Sequence, residues 1–320
     1  MTGVNLTGDL TLTSNRPWFT VNPSKITAAE AAEGKEVTVT YNPTAAGDHN
    51  AILTISGGDA EEKTVSLTGK CAAIEISSTS HDFGTHKEGE VVTETFTVTG
   101  TNLSDRISIV SALEEGFTIS PSTDVGLPST GGKVTVTFTP TSGGDYSRTF
   151  TFSCGDASAK LTVTGKCAAV TTNKSALSFS TLPKSQTETL GFTVTGINVT
   201  HDLTLTSSNS TLFEVNPTTI TAAQAKAGKK VTVTFKPKAY IDYSGTITIS
   251  GQDIKPKSVS LSGKCANITV SPTSFDFGTC TKGKAVPKTF TVTGTNVGER
   301  ISVVAQYEEG FTITPTDLPA

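Results

Sequence analysis

The cysteines and histidines are the side chains of this sequence with the widest chemistry, since they bind metals and act as nucleophiles or proton carriers. The cysteines are Cys71, Cys154, Cys167, Cys265 and Cys280. Three of them close the phrase Gly-Lys-Cys at spacings of about 97 residues, which is too far apart for disulfides within a linear array and favours free thiols. The histidines, His49, His81, His86 and His201, lack the paired spacing of a zinc site. We therefore predict no metal-binding residue among them.

Aspartates recur at one turn position, in Asp48-His49, Asp145-Tyr146 and Asp242-Tyr243. A recurring carboxylate suggests calcium, but calcium takes six or more oxygen ligands and each turn offers one carboxylate. We expect each aspartate to bond the backbone of its own turn instead. The sequence also lacks a G-x-S-x-G nucleophile elbow and a P-loop. The prediction is a protein that is not an enzyme, with no catalytic residue, no cofactor and no metal.

Sugar binding by a β-sandwich would need exposed planar rings. Trp18 is the only tryptophan. The aligned positions elsewhere in the chain are Leu212, Gly116 and Gly310. Tyr146 and Tyr243 align with His49 and are expected to pack at the corner of a hairpin. A carbohydrate-binding accessory module of a secreted enzyme is therefore the alternative function, behind a structural role.

A nine-residue phrase that returns along the chain indicates how these residues are positioned. TFTVTGTNL at Thr95–Leu103 reappears as TFTVTGTNV at Thr289–Val297, with FTVTGINV between them at Phe192–Val199. Its glycine recurs at Gly3, Gly100, Gly196 and Gly294. A period of about 97 residues marks an array of domains, and a chain of 320 residues suits about three of ordinary size.

The repeat frame predicts four segments. Residues 1–72 form a partial unit that lacks its first strands, 73–168 and 169–266 are complete units, and 267–320 form a partial unit that lacks its last strands. The Gly-Lys-Cys-Ala phrases are expected to act as short linkers between them. We expect the chain to be a fragment of a longer array. An alternative is head-to-tail self-association, in which the incomplete end of one chain completes that of another by strand exchange.

Apolar residues alternate with threonine within each unit, as in Phe96-Thr-Val98 and Val134-Thr-Val136. A period of two places one face of a strand inward and leaves the other face wet. Turn residues follow every 8–12 positions or so, which gives about seven strands in each unit. The predicted fold class is therefore all-β, a tandem array of immunoglobulin-like (Ig-like) β-sandwiches. This tandem arrangement also predicts that Phe96, Phe192 and Phe290 have similar surroundings.

Two stretches depart from the strand pattern, at Ile26–Val37 and Ile220–Val231. Thr27 followed by Glu30, and Thr221 followed by Gln224, form capping boxes that begin a helix. A glycine ends each stretch, at Gly34 and Gly228. The first and third units are thus each predicted to hold a short helical turn.

The net charge of −4 and a pI of about 5.6 exclude a broad basic surface, so no nucleic-acid partner is expected. No stretch reaches the apolar length needed to cross a bilayer, and no secretory leader follows Met1. We expect no membrane insertion within this segment.

The stretch Ser271–Val303, which includes FDFG, and the stretch Ser78–Leu103, which includes HDFG, resemble the ASH and major sperm protein branch of Ig-like domains. The tandem copies are similar to those of Bacteroidetes surface or secreted proteins, sometimes labelled choice-of-anchor modules. The third unit departs from the pattern, since Ser178 and Ser180 replace the Asp and Gly of DFG.

This resemblance implies an extracellular spacer or adhesion module of a larger bacterial protein, without catalysis and without a fixed ligand. The expected partner is an unknown protein or glycan at a cell surface. The expected location is extracellular or on the cell surface, with the signal and anchor outside this fragment.

Overall fold

The computed structural model describes residues 3–112, 115–306 and 309–319. The described chain is nearly all β, with two short helices, which confirms the predicted fold class. It divides into two compact units. Unit 1 comprises Met1–Gly84, Val91–Thr139 and Tyr146–Gly165, and unit 2 comprises Thr85–Glu90, Pro140–Asp145 and Lys166–Ala320. The four segments derived from the repeats stay a prediction.

The first part of unit 1 contains six strands and one helix. They are β1 (Leu10–Ser14), β2 (Phe19–Asn22), β3 (Lys25–Ile26), α1 (Ala28–Glu33), β4 (Thr38–Tyr41), β5 (Gly47–Gly57) and β6 (Ala60–Cys71). One sheet has the order β3-β1-β5-β6, and β2 pairs with β4 in a second sheet. Leu12, Ile26 and Ala31 lie at the centre of a small core between them.

The strands that follow build a sandwich around aromatic rings. They are β7 (Ala73–Ile76), β8 (Ser80–Lys87), β9 (Val92–Thr101), β10 (Ser108–Ser111), β11 (Phe117–Ser120), β12 (Gly131–Phe138), β13 (Gly144–Cys154) and β14 (Ala157–Thr172). One sheet has the order β11-β12-β9-β7, while β10, β13 and β14 pair in sequence and β8 adds to β14. The opening strand is therefore split in two, because β7 joins one sheet and β8 the other. The core rings are Phe83, Phe96, Phe117, Phe138, Phe150 and Phe152.

Unit 2 contains a further sandwich. Its remaining elements are β15 (Ala176–Pro183), β16 (Glu188–Ile197), β17 (Leu203–Ser207), β18 (Phe213–Asn216), β19 (Thr219–Ile220), α2 (Ala222–Ala227), β20 (Lys229–Phe235), β21 (Asp242–Ser250), β22 (Lys257–Ser271), β23 (Thr291–Thr295), β24 (Ile301–Ser302) and β25 (Asp317–Leu318). The end of β14 pairs with β16, which continues to β20 and β18; the facing sheet has the order β15-β22-β21-β17-β19. Phe192, Phe213 and Phe235 are fully buried between the two sheets.

Both predicted helical turns are confirmed, with their capping boxes. The Glu30 backbone N–H donates to Thr27 Oγ1 at 3.2 Å, and the Thr27 N–H donates to Glu30 Oε2 at 3.0 Å. In α2 the Gln224 N–H donates to Thr221 Oγ1 at 3.2 Å. Hydrogen bonds from the Thr27 backbone, then from Lys35, lower the pKa of Glu30 to about 2. These bonds satisfy N–H groups that a helix start would otherwise leave unpaired.

The Gly-Lys-Cys-Ala phrases are not loop linkers, which corrects the expectation from sequence. β6 runs to Cys71, and β14 and β22 continue as strands through Cys167 and Cys265. The glycine serves packing instead of flexibility, because a Cβ at Gly165 would lie 2.7 Å from the Phe138 ring. A Cβ at the corresponding Gly69 or Gly263 would lie equally close to the ring of Tyr41 or Phe235, respectively.

The prediction of like surroundings is wrong for Phe290. Phe96 and Phe192 are 3% and 1% exposed, whereas Phe290 is 38% exposed. Phe96 lies opposite Val134 of β12, and Phe192 lies opposite Val231 of β20. In the part of the chain that the structure describes, β23 pairs only with β22, so no equivalent strand covers the C-terminal ring.

Candidate functional site: the junctions between repeats

Three junctions recur, each defined as the end of a Gly-Lys-Cys strand together with the Gly-x-Asn turn of the next repeat. We number them by their cysteine and asparagine: first (Cys71 and Asn102), second (Cys167 and Asn198) and third (Cys265 and Asn296). The strand after each cysteine pairs antiparallel in the same register. The matching pairs are Ile74↔Gly100, Val170↔Gly196 and Ile268↔Gly294.

A side-chain hydrogen bond closes each junction. Asn102 Nδ2 donates to the Cys71 carbonyl at 3.4 Å, Asn198 Nδ2 to the Cys167 carbonyl at 3.4 Å, and Asn296 Nδ2 to the Cys265 carbonyl at 3.2 Å. The three asparagines adopt φ of 51°, 52° and 53°. Asparagine tolerates this left-handed conformation better than most residues. The turn thereby aims its amide at the preceding strand.

The asparagine of the second junction forms more hydrogen bonds, and shorter ones, than the asparagines of the other two junctions. Asn198 Nδ2 also donates to the Gly144 carbonyl at 3.0 Å and to Asp145 Oδ1 at 2.9 Å. These distances are near the optimum for N–H···O bonds, whereas 3.4 Å is long and weak. One asparagine therefore links a cysteine strand, the start of β13 and a carboxylate within unit 2.

The glycine two positions before each asparagine lies too close to neighbouring atoms for a side chain to fit without movement. A Cβ at Gly100 would lie 2.0 Å from the Ser129 carbonyl oxygen. A Cβ at Gly196 would lie 2.9 Å from Val199, and one at Gly294 would lie 2.8 Å from Val297. Only glycine leaves room for the carbonyl oxygen at Gly100, and a Cβ at Gly196 or Gly294 would meet a valine side chain of the same turn.

The junction cysteines act as small apolar residues. Cys167 and Cys265 are completely buried, Cys71 is half-buried, and all five thiols of the chain are free in the structure. Burial raises the pKa of the Cys167 thiol, and the nearby Glu88 carboxylate adds to this effect. A thiol with a raised pKa is a poor nucleophile at neutral pH.

A second recurring contact ties the turn to a hairpin. The Thr200 N–H and Oγ1 both donate to Asp253 Oδ2 at 2.7 Å. Burial opposes the charged form, but the bonds from Thr200 and His201 outweigh it and lower the pKa of Asp253. Thr7 Oγ1 donates to Asp59 in the same way in unit 1. Sequence reasoning missed this clamp, although the recurrence of Thr in the turn and Asp in the hairpin was a usable signal.

The aspartates predicted to bond their own turns do otherwise. Asp145 accepts from Asn198, and Asp242 Oδ2 lies 3.8 Å from Lys264 Nζ on the neighbouring strand. Both aspartates lie inside strands, β13 and β21, so their side chains reach across the sheet. The expectation of self-capping turns is wrong at these two positions.

The tyrosines pack at hairpin corners, as predicted. Tyr243 Oη accepts from the Ala239 N–H at 2.6 Å and donates to the Ala239 carbonyl at 2.9 Å. Its ring meets Phe235 edge-on at 5.5 Å, and Tyr146 meets Phe138 in the same geometry.

The Trp18 ring does not offer an open face on which a sugar could stack. Its ring stacks on His49 at 4.6 Å, and the Arg16 guanidinium lies 5.9 Å from the ring centroid. Its Nε1 is buried.

The histidines occupy four separate environments. His49 bonds Tyr41 Oη at 2.7 Å, His81 packs against Phe83, and His86 faces Glu90 at 3.3 Å. His201 lies 3.6 Å from Asp253. Among the described residues, no group of three or more His, Cys, Asp and Glu side chains is placed to hold a metal ion. The described helices are also too short and too polar to cross a membrane.

Two sheets facing each other across a core of phenylalanines define an Ig-like β-sandwich. Residues 72–166 match the family model described as HYDIN/CFA65/VesB-like, Ig-like domain, which supports Ig-like domains in this chain. The narrower assignment to Bacteroidetes surface modules stays a prediction. No curated protein matches the sequence significantly.

Several solved structures show a distant likeness. Titin domains I67–I69 are 10% identical at a TM-score of 0.39, with 80% of this chain and 87% of that chain covered. The D00-D0 domain of intimin is 12% identical at a TM-score of 0.34, with 60% and 96% covered. An endo-fucoidan hydrolase of glycoside hydrolase family 107 and a variant of it are 14% and 13% identical, each at a TM-score of 0.27 with 82% of this chain covered. The chain spans only 39% of that hydrolase, and likeness at this level carries no functional inference.

Proposed function

We propose that the chain is a non-catalytic spacer or adhesion module of a larger bacterial protein, displayed on the cell surface or secreted. Its task is to hold a neighbouring domain at a distance, or to present loops to a protein or glycan. The observation that carries this proposal is the third junction, where β22 passes from one sheet to the next without a loop.

The third junction has little freedom to bend. Lys264 pairs with Asp242 on one side, and Asn267 pairs with Thr295 on the other, with only Cys265 and Ala266 between them. A hinge there would break ladder bonds in one of the two sheets, each with a net value of about 1 kcal/mol. A flexible linker, in contrast, carries no such bonds.

The outer faces of the sheets suit an exposed array. Threonine hydroxyls bond across neighbouring strands in both units, from Thr95 to Thr135 at 3.1 Å and from Thr189 to Thr234 at 2.8 Å. Cross-strand threonine pairs stabilise a solvated sheet face without apolar surface. This pattern supports a domain that is stabilised by its apolar core and keeps a polar surface.

Protease shaving of intact producing cells tests the location. We expect the folded chain to be removed from whole cells, while a cytoplasmic marker protein remains intact. Protection of the chain until the cells are lysed would contradict the surface assignment.

Replacement of the chain tests the spacer role. An unrelated tandem Ig-like pair of similar length should restore the function of the parent protein, whereas deletion should abolish it. Failure of the replacement, with surface display retained, would contradict a purely spatial role.

The carbohydrate-binding alternative has no support from Trp18, because His49 and Arg16 lie against its ring.

A further inference from the structure

A pocket of about 410 Å³ opens beside the second junction, inside unit 2. Its wall includes Asn198 and Thr200 of the turn after β16, Thr85 of β8, Lys166 of β14 and Lys226 of α2. No Asp or Glu of the described chain is among its lining residues. Ligand pockets commonly enclose about 300–1,000 Å³, so this volume is enough for one small ligand.

Lys166 lacks the ion pair that its counterpart forms at the third junction. At the third junction the corresponding Lys264 lies 3.8 Å from Asp242. At the second junction the corresponding Asp145 accepts from Asn198 at 2.9 Å. Within the described residues, Lys166 forms no ion pair.

Lys226, in the last turn of α2, also has no carboxylate within salt-bridge distance in the described chain. Two unpaired ammonium groups therefore line one pocket in a protein whose net charge is −4. The nearby carboxylates have their own donors. Lys255 Nζ lies 2.8 Å from Glu88, and Thr200 holds Asp253. An anion in the pocket thus faces the ammonium groups of Lys166 and Lys226.

The remaining polar atoms favour a ligand with hydroxyl groups. The Asn198 amide hydrogens are used by Gly144, Asp145 and Cys167, which leaves its Oδ1 as an acceptor. The Thr85 hydroxyl can donate or accept.

We propose that this pocket binds a small hydroxylated carboxylate, of the size and chemistry of one uronic acid residue. The carboxylate lies between Lys166 and Lys226, and a ring hydroxyl donates to Asn198 Oδ1. This inference does not depend on the spacer role.

Titration of the isotope-labelled full chain with D-glucuronate, followed by amide NMR, tests the inference. We expect saturable shifts confined to Gly196–Thr200 and the neighbouring residues of the pocket, in the millimolar range. Lys166→Ala and Lys226→Ala should each weaken binding about tenfold, because each removes one charged hydrogen bond. Unchanged amide shifts elsewhere confirm that the variants are folded.

Lys238→Ala is the matched control, since Lys238 lines a separate cleft with Lys184 and Lys236. It should leave the affinity unchanged, and neutral glucose should not bind. The inference is overturned if the shifts do not saturate, or if Lys238→Ala weakens binding as much as Lys166→Ala. Inorganic sulfate binding as tightly as glucuronate would overturn the assignment to a hydroxylated ligand.

Discussion

Substitution of Asn198 tests the idea that an asparagine closes each junction. Asn198→Ala removes two bonds of normal length, to Gly144 and Asp145, and one long bond to Cys167. The two good bonds contribute about 1 kcal/mol each, and the long one adds little. Alanine at φ of 52° costs about 1 kcal/mol more. We expect a total loss of about 3 kcal/mol.

Three related variants separate these contributions. Asn198→Gly keeps the backbone conformation and loses only the bonds, so it should cost about 2 kcal/mol. Asn102→Ala loses one bond of 3.4 Å and adopts the same φ, so about 1 kcal/mol is expected. Asn102→Gly should be nearly neutral.

Native-state hydrogen exchange gives the local unfolding free energies. Peptides from β16 report on Asn198, and peptides from β9 report on Asn102. The reasoning fails if Asn198→Gly is as stable as the parent chain, or if Asn198→Ala and Asn102→Ala lose the same free energy.

Three further predictions concern glycine packing, pH and the thiols. Gly263→Ala should destabilise unit 2 by about 1–3 kcal/mol in thermal melts, because its Cβ would lie 2.6 Å from the Phe235 ring. As a control, Gly298→Ala should be neutral, because a Cβ there meets no atom within 4 Å. The pKa of Glu30 is about 2, below its usual 4.5, so the stability of α1 should fall as the pH drops from 4.5 toward 2. The helix α2 is capped by neutral Gln224 and should show no such change in hydrogen exchange. Equal pH profiles for the two helices would contradict this prediction. Exposed Cys280 should react with a thiol reagent in the folded protein, and buried Cys167 and Cys265 only after unfolding; fast labelling of all three would refute their burial.

Local patterns were predictable from the sequence. The capping boxes at Thr27 and Thr221 depend on residues three positions apart, and strand alternation depends on neighbours. The corner packing of Tyr146 and Tyr243 followed from their alignment with the hairpins.

Long-range partners were not predictable in the same way. Gly165 resembles a linker residue in sequence, but the Phe138 ring decides its role. Asp145 resembles a turn residue, but it accepts a hydrogen bond from Asn198, which lies in a turn 53 residues further along the chain. Within the described residues Lys166 forms no ion pair, which the sequence does not show, so the candidate pocket could be recognised only in three dimensions.

The central claim is that a strand, and not a flexible linker, connects the sandwich of unit 2 to the repeat that follows it at the third junction. Residual dipolar couplings measured for residues 169–262 and 268–302 test it directly. We predict that one alignment tensor fits both sets, and that a Gly-Ser insertion after Ala266 separates them into two tensors. Two different tensors in the unmodified chain would contradict the claim.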